Sequence, residues 1–266
     1  MDLDLRDKSA IVTGGNRGIG KAVAWRLAKE GVDVALIARD RTALETAAAE
    51  IARATNRRAK GYVADTGDDA AVKAAVAQAF TDFGRVDILV NCAAAVGGQG
   101  KPPTLAQITN EAFFADMNVK VLGYLRMIRE VAPHMAAQGG GRIINISGLA
   151  ALNTGSTIGS IRNVGVAALT KNLADELAPS GISVVCVHPG RTRTERTPEF
   201  VERQAKAHGV TPDEIERRLA EANLARRVIT ADEIAYLVAF LASPKSIAID
   251  GDSIAAGGGS PGAIHY

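Results

Sequence analysis

The segment TGGNRGIG, Thr13 to Gly20, joins a short apolar run to an Ala-rich stretch of helical period. Its glycines Gly14, Gly18 and Gly20 are spaced GxxxGxG. Glycines between a strand and a helix let the backbone approach a pyrophosphate, and the helix N-terminus turns amide groups and its positive dipole end toward it. Arg17 lies inside this loop, and Arg39 follows the next apolar run in LIARD. A residue at that place takes ribose hydroxyls when it is acidic and a ribose phosphate when it is arginine. Here Ala38 replaces the acid, and two guanidinium forks suit phosphate oxygens. The chemistry these residues announce is the binding of a nucleotide that carries an extra ribose phosphate.

Such a loop works only at the carboxyl end of a strand, and the rest of the chain has the rhythm to place it there. Apolar, β-branched runs at 9–14, 32–38, 58–64, 86–91, 142–147, 182–189 and 252–256 alternate with helical stretches near 18–30, 41–55, 68–83, 109–137, 158–178 and 230–242. Alternation of this kind predicts an α/β Rossmann fold, a doubly wound, seven-stranded parallel sheet with helices on both faces. The apolar fraction of 47 % suits strands buried on both sides, and residues 1–266 are expected to form one domain. The segment 191–227 departs from the rhythm as a charged helical excursion, read either as a solvated helical pair or as a lid over a substrate pocket.

Charge and cysteine usage exclude several functions. A net charge of +2, with no long basic run, argues against nucleic acid and against a membrane surface. Cys92 and Cys186 sit in apolar runs without a CxxC or Cys/His cluster, so they read as buried thiols, and no metal site is expected. The start, MDLDLRDKSAIVTGG, is too polar for a signal peptide, and no apolar run reaches the roughly 20 residues of a membrane span. The expected location is the cytoplasm.

Further motifs extend the pattern: VADT with Asp65, NCAA from Asn91, MNVKVLGY with Asn118, PGRTRT from Pro189 to Thr194, and GDSIAAGG near the end. With the glycine loop they make the chain resemble the short-chain dehydrogenase/reductase family over essentially its whole length. The resemblance implies a nicotinamide dinucleotide, and Arg17 and Arg39 favour NADP(H) over NAD(H). By the same resemblance, Gly14, Asn16, Arg17, Gly18, Ile19, Gly20, Arg39, Asp65, Thr66, Asn91, Ala93, Pro189, Gly190, Thr192 and Thr194 bind the cofactor. It also implies a homodimer or homotetramer built through 109–137 and 158–178. For Asp65 a plainer use, capping the helix that starts near Asp68, stays open.

The family's acid–base pair is a different matter. Its members use a tyrosine and, four residues later, a lysine that lowers the phenol's pKa and holds the ribose; the i, i+4 spacing puts both on one helix face. Anchored on LTK and PSGI, those positions fall on Gly159 and Asn163, and the usual serine position falls on Gly148. Ser147 and Asn118 are the remaining relay candidates. Arg162, three residues after Gly159, partly shares the missing lysine's face, and His188 reads as a strand-end packing residue. Three functions are therefore open. The first is an NADP(H)-dependent oxidoreductase acting on an unidentified small-molecule carbonyl or alcohol, with an atypical or impaired proton relay through Ser147, Asn118 and water. The second is a catalytically inactive NADP(H)-binding pseudoenzyme or partner subunit. The third is a non-redox lyase or isomerase whose 191–227 arginines hold an anionic substrate.

Overall fold

The computed structural model describes residues 1–94 and 102–261. Its main sheet contains β1 (Ser9–Thr13), β2 (Asp33–Ala38), β3 (Ala59–Val63), β4 (Ile88–Asn91), β5 (Gly141–Ile146), β6 (Ile182–Pro189) and β9 (Ser253–Ala256). All neighbours pair in parallel, in the order β3-β2-β1-β4-β5-β6-β9. The seven expected strands are all present, as a doubly wound Rossmann sheet. A short parallel pair, β7 (Thr192–Arg193) with β8 (Ile229–Thr230), flanks the excursion.

The strands read as continuous apolar runs because each is covered on both faces. Along β2 the side chains alternate. Val34 and Leu36 pack into a core shared with α1 (Gly18–Lys29), α2 (Arg41–Thr55) and α9 (Ala231–Ala242). Ala35 and Ile37 pack with α3 (Asp69–Phe83) and α5 (Gly123–Ala137) in a second core on the other face. Asp40, Asp68 and Thr230 begin α2, α3 and α9 by accepting an amide N–H of the first turn.

One expected element is divided. The helix read over 109–137 is α4 (Asn110–Met117), a π-helical turn (Asn118–Leu122) and then α5. A π-turn inserts an extra residue into the helix and changes which side chains face inward. The excursion folds as α7 (Thr197–His208) and α8 (Pro212–Glu221), packed on each other through Val201, Ala205 and Ile215, with α6 (Thr157–Leu177) preceding β6.

Strand order reverses between β1 and β4, so the chain leaves these neighbours in opposite directions and a crevice opens at their ends. Thr13, fully buried at the end of β1, closes the bottom of that crevice: its Oγ1 accepts the amide N–H groups of Cys92 (2.9 Å) and Ala93 (3.1 Å) just past β4. Replacing Thr13 by valine keeps the shape and orphans both amides, so the urea midpoint of Thr13→Val is expected to fall by the equivalent of about 1–3 kcal/mol, with Thr13→Ser close to the parent. Equal midpoints for Thr13→Val and the parent would remove this contact from the account of the crevice.

Candidate functional site

A cleft of about 600 Å³ lies over the crevice. The glycine loop forms one wall: Gly14 and Gly18 adopt φ of +66° and +55°, and a Cβ on Gly20 would lie 2.2 Å from the carbonyl oxygen of Gly14, so the first turn of α1 tolerates no side chain there. Of the residues expected to bind a cofactor, Gly14, Asn16, Arg17, Gly18, Ile19, Gly20, Arg39, Asp65, Thr66, Ala93 and Thr194 line this one cleft.

Four do not. Asn91 is buried in the sheet, where its Nδ2 donates to Asn145 Oδ1 at 3.0 Å, and Asn145 Nδ2 donates in turn to Thr170 Oγ1; its own Oδ1 has no partner. Its side chain ties β4 to β5 and α6. Pro189 ends β6 in register with Ala256, Gly190 packs on Gly257, and Thr192 belongs to β7, with its hydroxyl donated to the Gly190 carbonyl. Of the PGRTRT segment, Thr194 alone faces the cleft, because β7 holds the intervening residues against β8.

At the ribose end Arg39 is exposed and stands 3.5 Å from Asp65, while its neighbour Asp40 is engaged as the α2 cap, accepting from Ala43 N. Asp65 does not cap α3; Asp68 does, and Asp65 Oδ1 accepts from Gly67 N at 2.8 Å. Arg39 and Arg17 both line the cleft, with Asp65 as the counter-charge of Arg39. At the glycine loop both carboxylate oxygens of Glu195 accept from Gly18 N, at 3.1 and 3.2 Å, where α1 presents its positive end. The sequence reading missed Glu195, which no motif marks.

On α6 the tyrosine and lysine positions hold what the sequence implied. Gly159 is buried, and its amide donates to the cap residue Ser156. Asn163, 3 % exposed, is enclosed between β5 and the π-turn. The relay read through Ser147 and Asn118 is not assembled. Asn118 turns away, donating from Nδ2 to Gly67 O at 3.1 Å, because the π-turn rotates it toward the loop after β3. Ser147 is at the site, but its hydroxyl donates to the backbone carbonyl of Asn163 at 3.0 Å. Arg162 does not replace the missing lysine: its Nη1 contacts both oxygens of Asp116 on α4 at 2.9 Å. The phenol of Tyr124 is fully buried, donates to Ile146 O, and burial holds its pKa well above the ordinary value. His188 is buried on β6 with Cys186 Sγ at 4.0 Å, as a packing residue would be. Both cysteines are free thiols, which burial pushes up to about 11.

The residue that sequence reasoning passed over is Lys120. It is 4 % exposed, and its Nζ donates to Ser147 O at 2.9 Å and to Asn163 Oδ1 at 3.0 Å. Burial, followed by the charge of Arg162, pushes its pKa down to about 7. The available signal was a lysine set among Val119, Val121 and Leu122, where the helical pattern calls for an apolar side chain.

The arginines of the excursion are mostly spent on glutamates: Arg193 on Glu216, Arg217 and Arg218 on Glu214, Arg227 on Glu233. These four of the eight arginines between 191 and 227 are thus held in local ion pairs rather than free for an anionic substrate.

Comparison with known proteins agrees with this architecture. Residues 8–205 match the family described as short chain dehydrogenase. The chain is 38 % identical to the short-chain reductase protein NovJ of Streptomyces niveus, over 96 % of this chain and 95 % of that one. It is 31 % identical to the NADPH-dependent reductase BacG of Bacillus subtilis, over 95 % and 97 %. The crystal structure of L-sorbose reductase from Gluconobacter frateurii, complexed with NADPH and L-sorbose, superposes with a TM-score of 0.92 at 27 % identity, covering 99 % of this chain and all of that one. With its glycine loop, its strand order and this match over most of its length, the chain belongs to the short-chain dehydrogenase family of oxidoreductases.

Proposed function

We propose that the chain is an NADP(H)-binding subunit that keeps the family's dinucleotide cleft, has given up the family's proton transfer, and works paired with a catalytically complete relative. One observation carries this reading: where the phenol and lysine would stand there are Gly159 and a buried Asn163, and the neighbouring phenol, hydroxyl and guanidinium are already engaged. Tyr124 and Ser147 donate to backbone carbonyls, and Arg162 is fixed by Asp116. A bound nicotinamide would supply hydride to a carbonyl carbon; these residues offer no free acid to protonate the carbonyl oxygen. Losing a positioned general acid costs about 10² to 10⁴ in rate.

The cleft, by contrast, suits the cofactor. The glycine loop offers close backbone approach, and Arg17 and Arg39 offer charge-assisted hydrogen bonds for a 2′-phosphate. NADPH appears in the descriptions of BacG and of the L-sorbose reductase complex, which supports the same choice. Exposed apolar side chains on α4, the π-turn and α6 (Phe114, Leu122, Ile161 and Val164) give a surface for the paired subunit, whether a second copy or a relative. No helix among the described residues is long and apolar enough to cross a membrane.

A slow NADPH-dependent carbonyl reductase is the second reading, supported by those same relatives. Turnover separates the two. The isolated chain is expected to bind NADPH stoichiometrically and to oxidise it, across a panel of ketones and aldehydes, at least 10²-fold below the about 10 s⁻¹ of a median enzyme. Turnover at ordinary rates would overturn the subunit reading in favour of the reductase.

Cofactor choice is tested separately. Fluorescence titration is expected to give tighter binding of NADPH than of NADH. Arg39→Ala should weaken NADPH by about 10- to 100-fold, the value of a charged hydrogen bond, and leave NADH within about twofold. An Arg39→Ala variant that loses both cofactors alike would place Arg39 elsewhere than at the phosphate.

A further inference from the structure

Lys120 is the one buried ammonium among the described residues, and the proposed function does not use it. Its neighbours explain how it comes to be there. Val119, its neighbour in the chain, and Cys92, which its charge reaches, both line the cleft, so Lys120 is packed behind residues of that wall. Ser147 O and Asn163 Oδ1 take two of its three N–H groups among the described residues. The third has no acceptor among them.

Asn163 is matched to this arrangement. A lysine at 163 would set a second ammonium against the first, whereas the asparagine turns an amide oxygen toward it. Gly148 belongs to the same arrangement, since a Cβ there would lie 3.2 Å from Asn163 Nδ2. The site therefore holds one lysine, as the family's does, but on the opposite element: the π-turn carries it, and α6 carries its acceptor.

We infer that Lys120 is a cofactor-positioning residue, delivering from the π-turn the ammonium that the family delivers from α6, to a hydroxyl of the dinucleotide's nicotinamide-side ribose. The inference rests on the NADP(H)-binding reading. It needs no tyrosine, because holding the ribose is the part of the lysine's work that survives without a phenol.

The geometry implies a coupled proton. An ammonium with one unused N–H in a buried place is poorly solvated, and Arg162 on α6 repels it. Asp116 on α4 acts in the opposite sense; the facing thiols of Cys92 and Cys186, pushed up to about 11, are neutral at pH 8, and the nearby phenol of Tyr124 is already donating to Ile146 O. Its pKa near 7 means that much of the free protein carries the neutral amine at pH 8. A ligand hydroxyl that accepts the third N–H favours the ammonium, so binding takes up a proton at pH 8, and affinity falls as pH rises through 7 and beyond.

Calorimetric titration of NADPH into the wild-type chain at pH 8, in two buffers of different ionisation enthalpy, is expected to show uptake of a substantial fraction of one proton. The 2′-phosphate, which titrates near pH 6, contributes little there. Lys120→Met and Lys120→Gln should weaken NADPH by about tenfold and abolish the uptake. The exchange Lys120→Asn/Asn163→Lys, which returns the lysine to α6, should restore affinity to within about threefold of wild type, whereas Asn163→Lys alone should melt well below it. Tight NADPH binding without proton uptake overturns the inference and leaves the cofactor reading standing, as does wild-type affinity in a folded Lys120→Met. A wild-type chain that binds no dinucleotide overturns both.

Discussion

Everything in this molecule that bears on function depends on the reversal of strand order between β1 and β4. Parallel strands need crossover connections, and where successive crossovers run to opposite sides the sheet leaves a crevice at its carboxyl edge. The crevice is of use only if its floor is rigid, and one buried hydroxyl does that work. Thr13 ends β1 and holds the two amides that follow β4, while Gly14 N donates to Ile37 O on β2. Three strands are thereby fixed at the point where the glycine loop starts. Gly20 then packs against Gly14 so closely that α1 has one orientation, with its N-terminal amides facing the cleft.

The opposite wall follows a different constraint, that of a charge with nowhere to go. Lys120 enters a space walled by β5, α6 and Cys92, and a buried ammonium is tolerated only where acceptors surround it. The carbonyl of Ser147 and the amide of Asn163 meet that need, and Ser147 Oγ in turn fastens the Asn163 carbonyl. The result is a small network in which one N–H of Lys120 is left over among the described residues. The hydroxyl of Ser147 and the phenol of Tyr124 are both donors to backbone carbonyls, and burial drives the Tyr124 phenol further from ionisation.

The sheet was legible because its strands are buried on both faces and so appear as uninterrupted runs of Val, Ile, Leu and Ala, which periodicity picks out directly. The glycine loop was legible for a similar reason, since close backbone approach leaves glycine as the residue that fits. The π-turn was not. MNVKVLGY keeps enough apolar residues at helical spacing for the segment to read as one helix, and the extra residue that turns Lys120 inward and Asn118 outward has no compositional signature. The relay was thus placed on Asn118, two residues from the side chain that enters the site. Asn91 is a different case: a polar residue at a strand end satisfies the sheet or a ligand equally well on paper, and here its Nδ2 donates within the sheet.

The loss of the acid–base pair is embedded in its surroundings, which bears on whether this chain is a reductase awaiting two side chains. A Cβ at position 159 would stand 2.9 Å from Ser156 Oγ, the hydroxyl that caps α6, so Gly159→Tyr must displace the cap before it places a phenol. Asn163→Lys removes the acceptor of Lys120 and sets two ammonium groups together in a closed space. Gly148 leaves the serine position empty, and restoring that side chain crowds Asn163. Each reversal taken singly disturbs a contact that the present arrangement uses. Restoring the family's side chains asks Ser156 and Asn163 to shift and sets the lysine at 163 against Lys120. Lys120, Gly148, Gly159 and Asn163 thus form one interlocked set of contacts, beside a cleft lined by the glycine loop, Arg17 and Arg39.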